Sequence, residues 1–109
     1  MAFDEGLAER VRDALRDRED LTEKKMFGGL CFLLGGNMCC GIVGEELMLR
    51  VGPERYEAVL ARPHAREMDF TGRALRGMVY VGSAGLAEDA ALAEWLAPAV
   101  SFAGSLPPK

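Results

Sequence analysis

Three cysteines close together are the side chains most able to do chemistry in this sequence. Cys31 lies in one apolar run, Cys39 and Cys40 lie in the next, and Gly35-Gly36 separates the two runs. A Gly-Gly pair supplies the positive φ angles of a two-residue hairpin loop, so the runs are predicted to pair as antiparallel strands. In that register Cys31 faces Cys40 as a non-hydrogen-bonded pair, with Cα atoms about 4.5 Å apart.

This spacing leaves two interpretations of the candidate thiol pair, Cys31 and Cys40. A separation of about 4.5 Å is near the lower limit for a disulfide, which makes a small thiol redox protein one hypothesis. In a reducing compartment two buried thiols act instead as small apolar side chains, and we favour this interpretation. Zinc binding is disfavoured, because the chain has no Cys-x-x-Cys motif and its single histidine, His64, lies in a different segment. No metal or other cofactor is expected.

A second chemical possibility is a basic patch in the middle of the chain. Arginines outnumber carboxylates there, although the formal net charge of the whole chain is −4. Nucleic-acid binding requires cationic groups that neutralise phosphates, and the acidic balance does not favour it. We therefore predict ordinary surface arginines, with weak nucleic-acid binding as the alternative. The patch comprises Arg50, Arg55, Arg62, Arg66, Arg73 and Arg76.

Two lysines and two glycines could be taken for a phosphate-binding loop. Lys24 and Lys25 precede Gly28-Gly29, but a phosphate cradle needs its glycine-rich turn to open a helix. Here the glycines lead into an apolar strand, so we predict that they mark a bulge or a close backbone approach inside a strand that begins over residues 22–27. His64 is predicted to be a turn residue rather than a general base, because no triad arrangement surrounds it in the sequence.

The first half of the chain predicts a helix followed by a small sheet. Apolar residues at every fourth position predict a helix over residues 4–18, with Asp4 at its first turn. Residues 24–51 predict a three-stranded meander with one buried face. The third strand alternates, which places Leu47, Leu49 and Val51 on that face.

The second half predicts two more helices and two more strands. Gly52-Pro53 introduces a short helix over residues 54–61. Strands over residues 67–70 and 77–82 bring the sheet to about five strands. The last helix covers residues 86–105, and Pro98 inside it predicts a kink or a division into two pieces.

Length and composition place the chain among small globular proteins. A chain of 109 residues, half of them apolar, forms one domain over residues 1–109 with one core. No apolar run approaches the roughly 20 residues that cross a bilayer, and the N-terminal segment is too acidic for a signal peptide. A cytoplasmic protein with no membrane contact is expected.

Several blocks of the sequence, in the same order, resemble the TfoX/Sxy family in its N-terminal domain. They are Lys24-Lys25-Met26-Phe27-Gly28-Gly29, Gly36-Asn37-Met38, LRVGPERYE at 49–57, MDFTGR at 68–73, GMVYV at 77–81 and the closing SLPPK. The resemblance implies an α+β domain of order α-β-β-β-α-β-β-α. In it an antiparallel sheet packs against helices, similar to secretion-chaperone-like folds.

The same resemblance implies a function without catalysis. Members of the family resemble positive regulators of natural competence that assist the cyclic-AMP receptor protein at promoters, and those regulators carry a second, C-terminal helical domain. We therefore expect a regulatory module that acts through a protein partner, with transcription machinery as the candidate. A homodimer formed by strand addition at an exposed edge, residues 67–70, is a further expectation.

Overall fold

An antiparallel sheet with helices on one of its faces forms the fold. The computed structural model describes residues 3–26, 28–70 and 73–108. The elements are α1 (Glu5–Leu15), β1 (Leu21–Met26), β2 (Gly29–Leu34), β3 (Asn37–Val43), β4 (Glu46–Arg50), α2 (Tyr56–Leu60), β5 (Ala65–Phe70), β6 (Arg73–Val81), a short 3-10 helix (Ser83–Leu86) and α3 (Asp89–Ser105). The strands lie in the order β1-β2-β3-β4-β6-β5. The predicted α+β class and order of elements are confirmed.

The sheet has one strand more than the approximate count from the sequence. The segment before Gly28 forms a separate strand, β1, which pairs antiparallel with β2 and ends at Met26 opposite Gly29. These glycines therefore accompany a reversal of the chain, and the predicted bulge inside one strand is wrong. A Cβ atom at Gly29 would lie 2.0 Å from the carbonyl oxygen of Ile42, so the close approach of β3 requires glycine there, and the predicted alternative of a close backbone approach is confirmed. Phe27 of this motif lies outside the described residues.

Helix α1 begins and packs as its sequence pattern predicts. The Asp4 side chain accepts a hydrogen bond of 3.1 Å from the backbone N–H of Leu7, which satisfies one of the free donors at the helix start. Leu7, Val11 and Leu15 are buried on one side of the helix. On another side, Arg12 Nη2 donates to Glu23 Oε1 at 2.7 Å and connects α1 to β1.

The main core lies between the helices and one face of the sheet. All three α-helices contribute buried side chains to it, including Val11, Val59 and Leu96. The strands contribute residues at alternate positions, namely Leu30, Phe32, Leu34, Ile42, Leu47, Leu49, Val79 and Val81. The predicted placement of Leu47, Leu49 and Val51 on a core face is thereby confirmed.

Helix α3 continues through Pro98 as a single helix, so the predicted division into two pieces is wrong. Proline has no N–H to donate to the carbonyl four residues earlier, which is that of Glu94. That carbonyl accepts a hydrogen bond of 3.3 Å from Arg62 Nη1 instead. The Arg62 guanidinium also lies 5.2 Å from the centroid of the Trp95 ring. A side chain from the turn after α2 thus supplies the donor that the helix lacks.

Strand β5 lies at one edge of the sheet. It pairs on one side with β6, and the register shifts between Glu67 and Asp69. An edge position is what the predicted strand addition requires, although irregular pairing opposes such additions. The homodimer stays a prediction.

Candidate interaction surface

A β-bulge in β3 overturns the predicted pairing of the cysteines. The strands pair as predicted next to the Gly35-Gly36 loop, and the register then shifts so that Cys39 is the extra residue. Cys31 consequently lies opposite Gly41, and the prediction that it faces Cys40 is wrong. Cys40 belongs to the main core, whereas Cys31 belongs to a cluster on the other face of the sheet.

All three thiols are free and buried. A side-chain hydrogen bond with Cys39, followed by burial, raises the pKa of the Cys40 thiol well above its usual value. Burial also raises the pKa of the Cys31 thiol. Because the thiolate is the reactive form, these two side chains behave as small apolar groups rather than as nucleophiles.

The face of the sheet opposite the helices, here called the outer face, carries a second apolar cluster. Cys31, Met48 and Tyr80 are buried in it, and Leu33, Met38, Val43 and Met78 are partly buried against them. None of these residues belongs to a helix. An antiparallel sheet that exposes one face to water normally carries polar side chains there. The prediction of a single buried face is therefore wrong, because both faces are apolar.

One row of directly paired residues crosses the outer face from edge to edge. It runs through Lys24, Cys31, Gly41, Met48, Tyr80 and Arg66, one from each strand. Five strand spacings make this central row about 24 Å long. The row is apolar in its middle and basic at both ends.

Side chains pack closely along the central row. A Cβ atom on Gly41 would lie 2.7 Å from Met48 Cε and 3.2 Å from Cys31 Sγ, so the methyl group of Met48 and the thiol of Cys31 occupy the space beside the glycine. At the β5 end, the Arg66 guanidinium lies 4.6 Å from the centroid of the Tyr80 ring and forms an ion pair with Glu46. Burial raises the pKa of the Tyr80 hydroxyl. Three methionines on or beside the row give it a surface that adapts its shape easily.

Two of the six candidate arginines come together at the end of α3. The Arg50 guanidinium lies 5.2 Å from the centroid of the Phe102 ring, and Arg55 Nη2 donates a hydrogen bond of 3.1 Å to Ser101 Oγ. A cleft of about 270 Å³ lies between the Gly52-Pro53 junction and this part of the helix. Glu54 lines it together with Arg55, so the cleft carries both signs of charge.

The other arginines lie elsewhere. Arg62 contacts α3 and Arg66 lies on the outer face beside Glu46. The side chains of Arg73 and Arg76 lie outside the part of the chain that the structure describes. Arg50, Arg55, Arg62 and Arg66 thus each contact another group of the same chain, and the patch stays a prediction.

His64 lies in the turn between α2 and β5, with an exposed side chain. Its φ angle is +74°, and its carbonyl accepts a hydrogen bond of 3.0 Å from the N–H of Gly82. Over residues 3–26, 28–70 and 73–108, no group of three or more His, Cys, Asp or Glu side chains is placed to hold a metal ion. Within the same ranges, no helix has the length and apolar character needed to cross a membrane.

The family model of the TfoX N-terminal domain matches residues 13–103. The chain belongs to the TfoX N-terminal domain family. No curated protein and no solved structure is significantly similar to it. The resemblance noted in the sequence is thereby confirmed over most of the chain.

Two sequence blocks of this TfoX N-terminal domain that lie far apart in the chain meet in space. Asn37, from the block Gly36-Asn37-Met38, is buried at 3% exposure and donates a hydrogen bond of 2.9 Å from Nδ2 to the carbonyl of Pro107. The closing SLPPK block is thus tied to the tip of the β2–β3 hairpin. A buried amide needs such a partner, which explains a polar residue at this position.

Sequence reasoning missed the outer face of the TfoX N-terminal domain, although a signal for it exists. Residues 30–34 and 38–43 are almost continuously apolar instead of alternating. Such runs indicate strands that bury both faces. That pattern, combined with the antiparallel pairing, could have located an apolar surface opposite the helices.

Proposed function

We propose that this TfoX N-terminal domain is a non-enzymatic regulatory module of the cytoplasm that affects gene expression by binding a protein partner, with transcription machinery as the candidate. The observation that carries the proposal is the outer face, where seven apolar residues cluster and no helix among the described residues contributes a side chain. Four of them, Leu33, Met38, Val43 and Met78, are partly exposed, and apolar side chains grouped on a surface mark sites of protein interaction. The family supplies the regulatory context.

Two further observations support a partner-binding role. The pKa values of the Cys31 and Cys40 thiols are raised, which opposes nucleophilic or redox chemistry. Arg50, Arg62 and Arg66 each lie against an aromatic ring of the same chain, which reduces their availability for phosphates. Binding through the outer face requires neither kind of chemistry.

The proposal is tested by complementation in the native host. A strain without the gene is supplied with the wild-type chain or with the double variant Met38→Glu, Met78→Glu, and its transcripts are compared. The matched control is Ala58→Glu, Ala93→Glu, which adds two carboxylates at exposed positions of α2 and α3. Circular dichroism and thermal unfolding establish that all three proteins fold.

We expect the wild type and the helix control to restore the transcript pattern, and the outer-face variant to fail while folded. A pattern unchanged by deletion of the gene would contradict the regulatory role. Full restoration by a folded outer-face variant would contradict the use of this surface.

A further inference from the structure

The charges at the two ends of the central row are not equivalent. Arg66 is paired with Glu46 at the β5 edge. Lys24, at the β1 edge, is exposed and takes part in none of the ion pairs formed among the described residues. An apolar surface with an available cation at its margin thus lies on a chain whose net charge is −4.

A second copy of this chain does not complement that arrangement. A two-fold axis parallel to the strands places Lys24 over the Arg66 and Glu46 pair of the other copy, whose carboxylate is already engaged. A two-fold axis that is perpendicular to the strands and lies in the plane of the sheet places Lys24 of one copy over Lys24 of the other copy. Neither arrangement offers Lys24 a free carboxylate, so charge complementarity favours a different, acidic partner.

The dimensions of the apolar part fit one helix. From Cys31 to Tyr80 the row crosses three strand spacings, or about 14 Å. An α-helix that lies along the row spans this distance with about nine residues at 1.5 Å per residue, and its continuation over the neighbouring strands brings it to Lys24. Met48 and the partly buried Met38 and Met78 can adjust to the apolar side chains of such a helix.

We propose that the outer face binds an amphipathic helix of the partner protein, with its apolar stripe on the partly exposed Leu33, Met38 and Met78 beside the central row and its carboxylates at Lys24. The inference rests on the proposed function and names the chemistry of the partner. It assigns the specificity for acidic segments to Lys24.

Charge reversal at two adjacent lysines tests this assignment. Lys24 and Lys25 are neighbours on β1 and both are exposed, but Lys24 pairs with Cys31 of the outer face and Lys25 pairs with Leu30 of the main core. Lys24→Glu and Lys25→Glu therefore change the charge equally on opposite sides of the sheet. The probe is a displayed library of random peptides of about 16 residues, which as a helix match the length of the row.

Peptides selected on the wild type are expected to be rich in Asp and Glu and to carry apolar residues at helical spacing. They should bind Lys25→Glu as they bind the wild type, and bind Lys24→Glu about tenfold more weakly, since an attraction becomes a repulsion. Met38→Glu should also abolish their binding. Fluorescence anisotropy of labelled peptides gives the affinities.

An empty selection, selected peptides without acidic residues, or equal effects of the two lysine variants would overturn the proposal. A stable dimer in light scattering that dissociates on Met38→Glu would assign the face to a second copy instead. These failures are distinguishable from failure of the proposed function. If transcripts depend on Met38 and Met78 but not on Lys24, the regulatory role stands and the acidic helix is wrong.

Discussion

At the scale of single residues, the cysteines show how position decides reactivity. A thiol becomes a nucleophile when a nearby positive charge or a helix N-terminus lowers its pKa. Cys31 and Cys40 have the opposite surroundings, since burial raises the pKa of Cys31, and a side-chain hydrogen bond with Cys39 followed by burial raises the pKa of Cys40. The bulge also separates these two thiols onto different faces of the sheet.

Ellman's reagent is therefore expected to react very slowly with the folded protein and to label all three thiols after denaturation. Because the pKa values of Cys31 and Cys40 are raised, their reaction should stay slow as the pH approaches 9.0, the ordinary thiol pKa. The denatured protein at the same pH is the control. Fast labelling of two thiols in the folded protein, or their loss after a mild oxidant, would restore the redox hypothesis.

At the scale of elements, α3 shows how one side chain maintains a helix around proline. The carbonyl of Glu94 loses its intrahelical donor at Pro98, and Arg62 donates to it from the turn after α2. The same guanidinium lies over Trp95, whose Nε1–H donates to the carbonyl of Gly85 at 3.1 Å. Arg62 thus contributes to the packing of α3 rather than to a nucleic-acid surface.

Arg62→Ala is expected to lower the free energy of unfolding by about 1 kcal/mol, since it leaves a carbonyl without a donor. In a Pro98→Ala background the backbone N–H returns, and the effect of Arg62→Ala should shrink. Urea denaturation of the single and double variants measures this coupling.

Arg55→Ala serves as the control for this cycle. Arg55 is also exposed and donates to Ser101 of the same helix, but it does not contact the Glu94 carbonyl. The effect of Arg55→Ala on the free energy of unfolding should simply add to the effect of Pro98→Ala. Additive behaviour of Arg62→Ala as well would contradict the replacement of the missing donor.

At the scale of the whole molecule, charge argues against direct contact with DNA. The net charge is −4, and the four candidate arginines whose side chains are described are each engaged by a group of the same chain. Phosphate binding requires cations that act together along a surface.

We therefore expect no saturable binding of mixed-sequence duplex DNA in a fluorescence-anisotropy titration, at either low or moderate salt. The outer-face variant Met38→Glu should behave like the wild type in this experiment. Binding that weakens steeply with salt would instead make direct DNA contact the working hypothesis, because displaced counterions give that dependence. Light scattering on the same sample measures the oligomeric state.

Much of this fold follows from local sequence signals, and the remainder depends on pairing. Asp4, the Gly35-Gly36 loop and the Gly52-Pro53 junction mark boundaries that nearby residues determine, so their positions could be predicted. The separate strand β1 depends on its partner β2, because two glycines in sequence are compatible with a bulge or with a reversal.

The candidate surface was harder to predict for a related reason. Lys24 and Arg66 lie 42 positions apart in the chain, and only the strand order brings them to the two ends of one row. Hydrophobic periodicity contains no information about that order. The runs around Cys31 and Met38 indicated apolar strands, but the absence of a helix on the outer face is a property of the assembled sheet.

The single extra residue at Cys39 divides β3 into two segments of opposite phase. In the segment before Cys39, next to the hairpin loop, Met38 lies on the outer face. In the segment after Cys39, Gly41 and Val43 lie on that face. Deleting Cys39 would leave Met38 directly before Cys40, and regular alternation would then keep Met38, Gly41 and Val43 on the outer face and Cys40 and Ile42 in the core. The composition of both faces of the sheet thus depends on the bulge: removal of Cys39 preserves it, whereas regular pairing that kept Cys39 would turn one of the two segments to the opposite face.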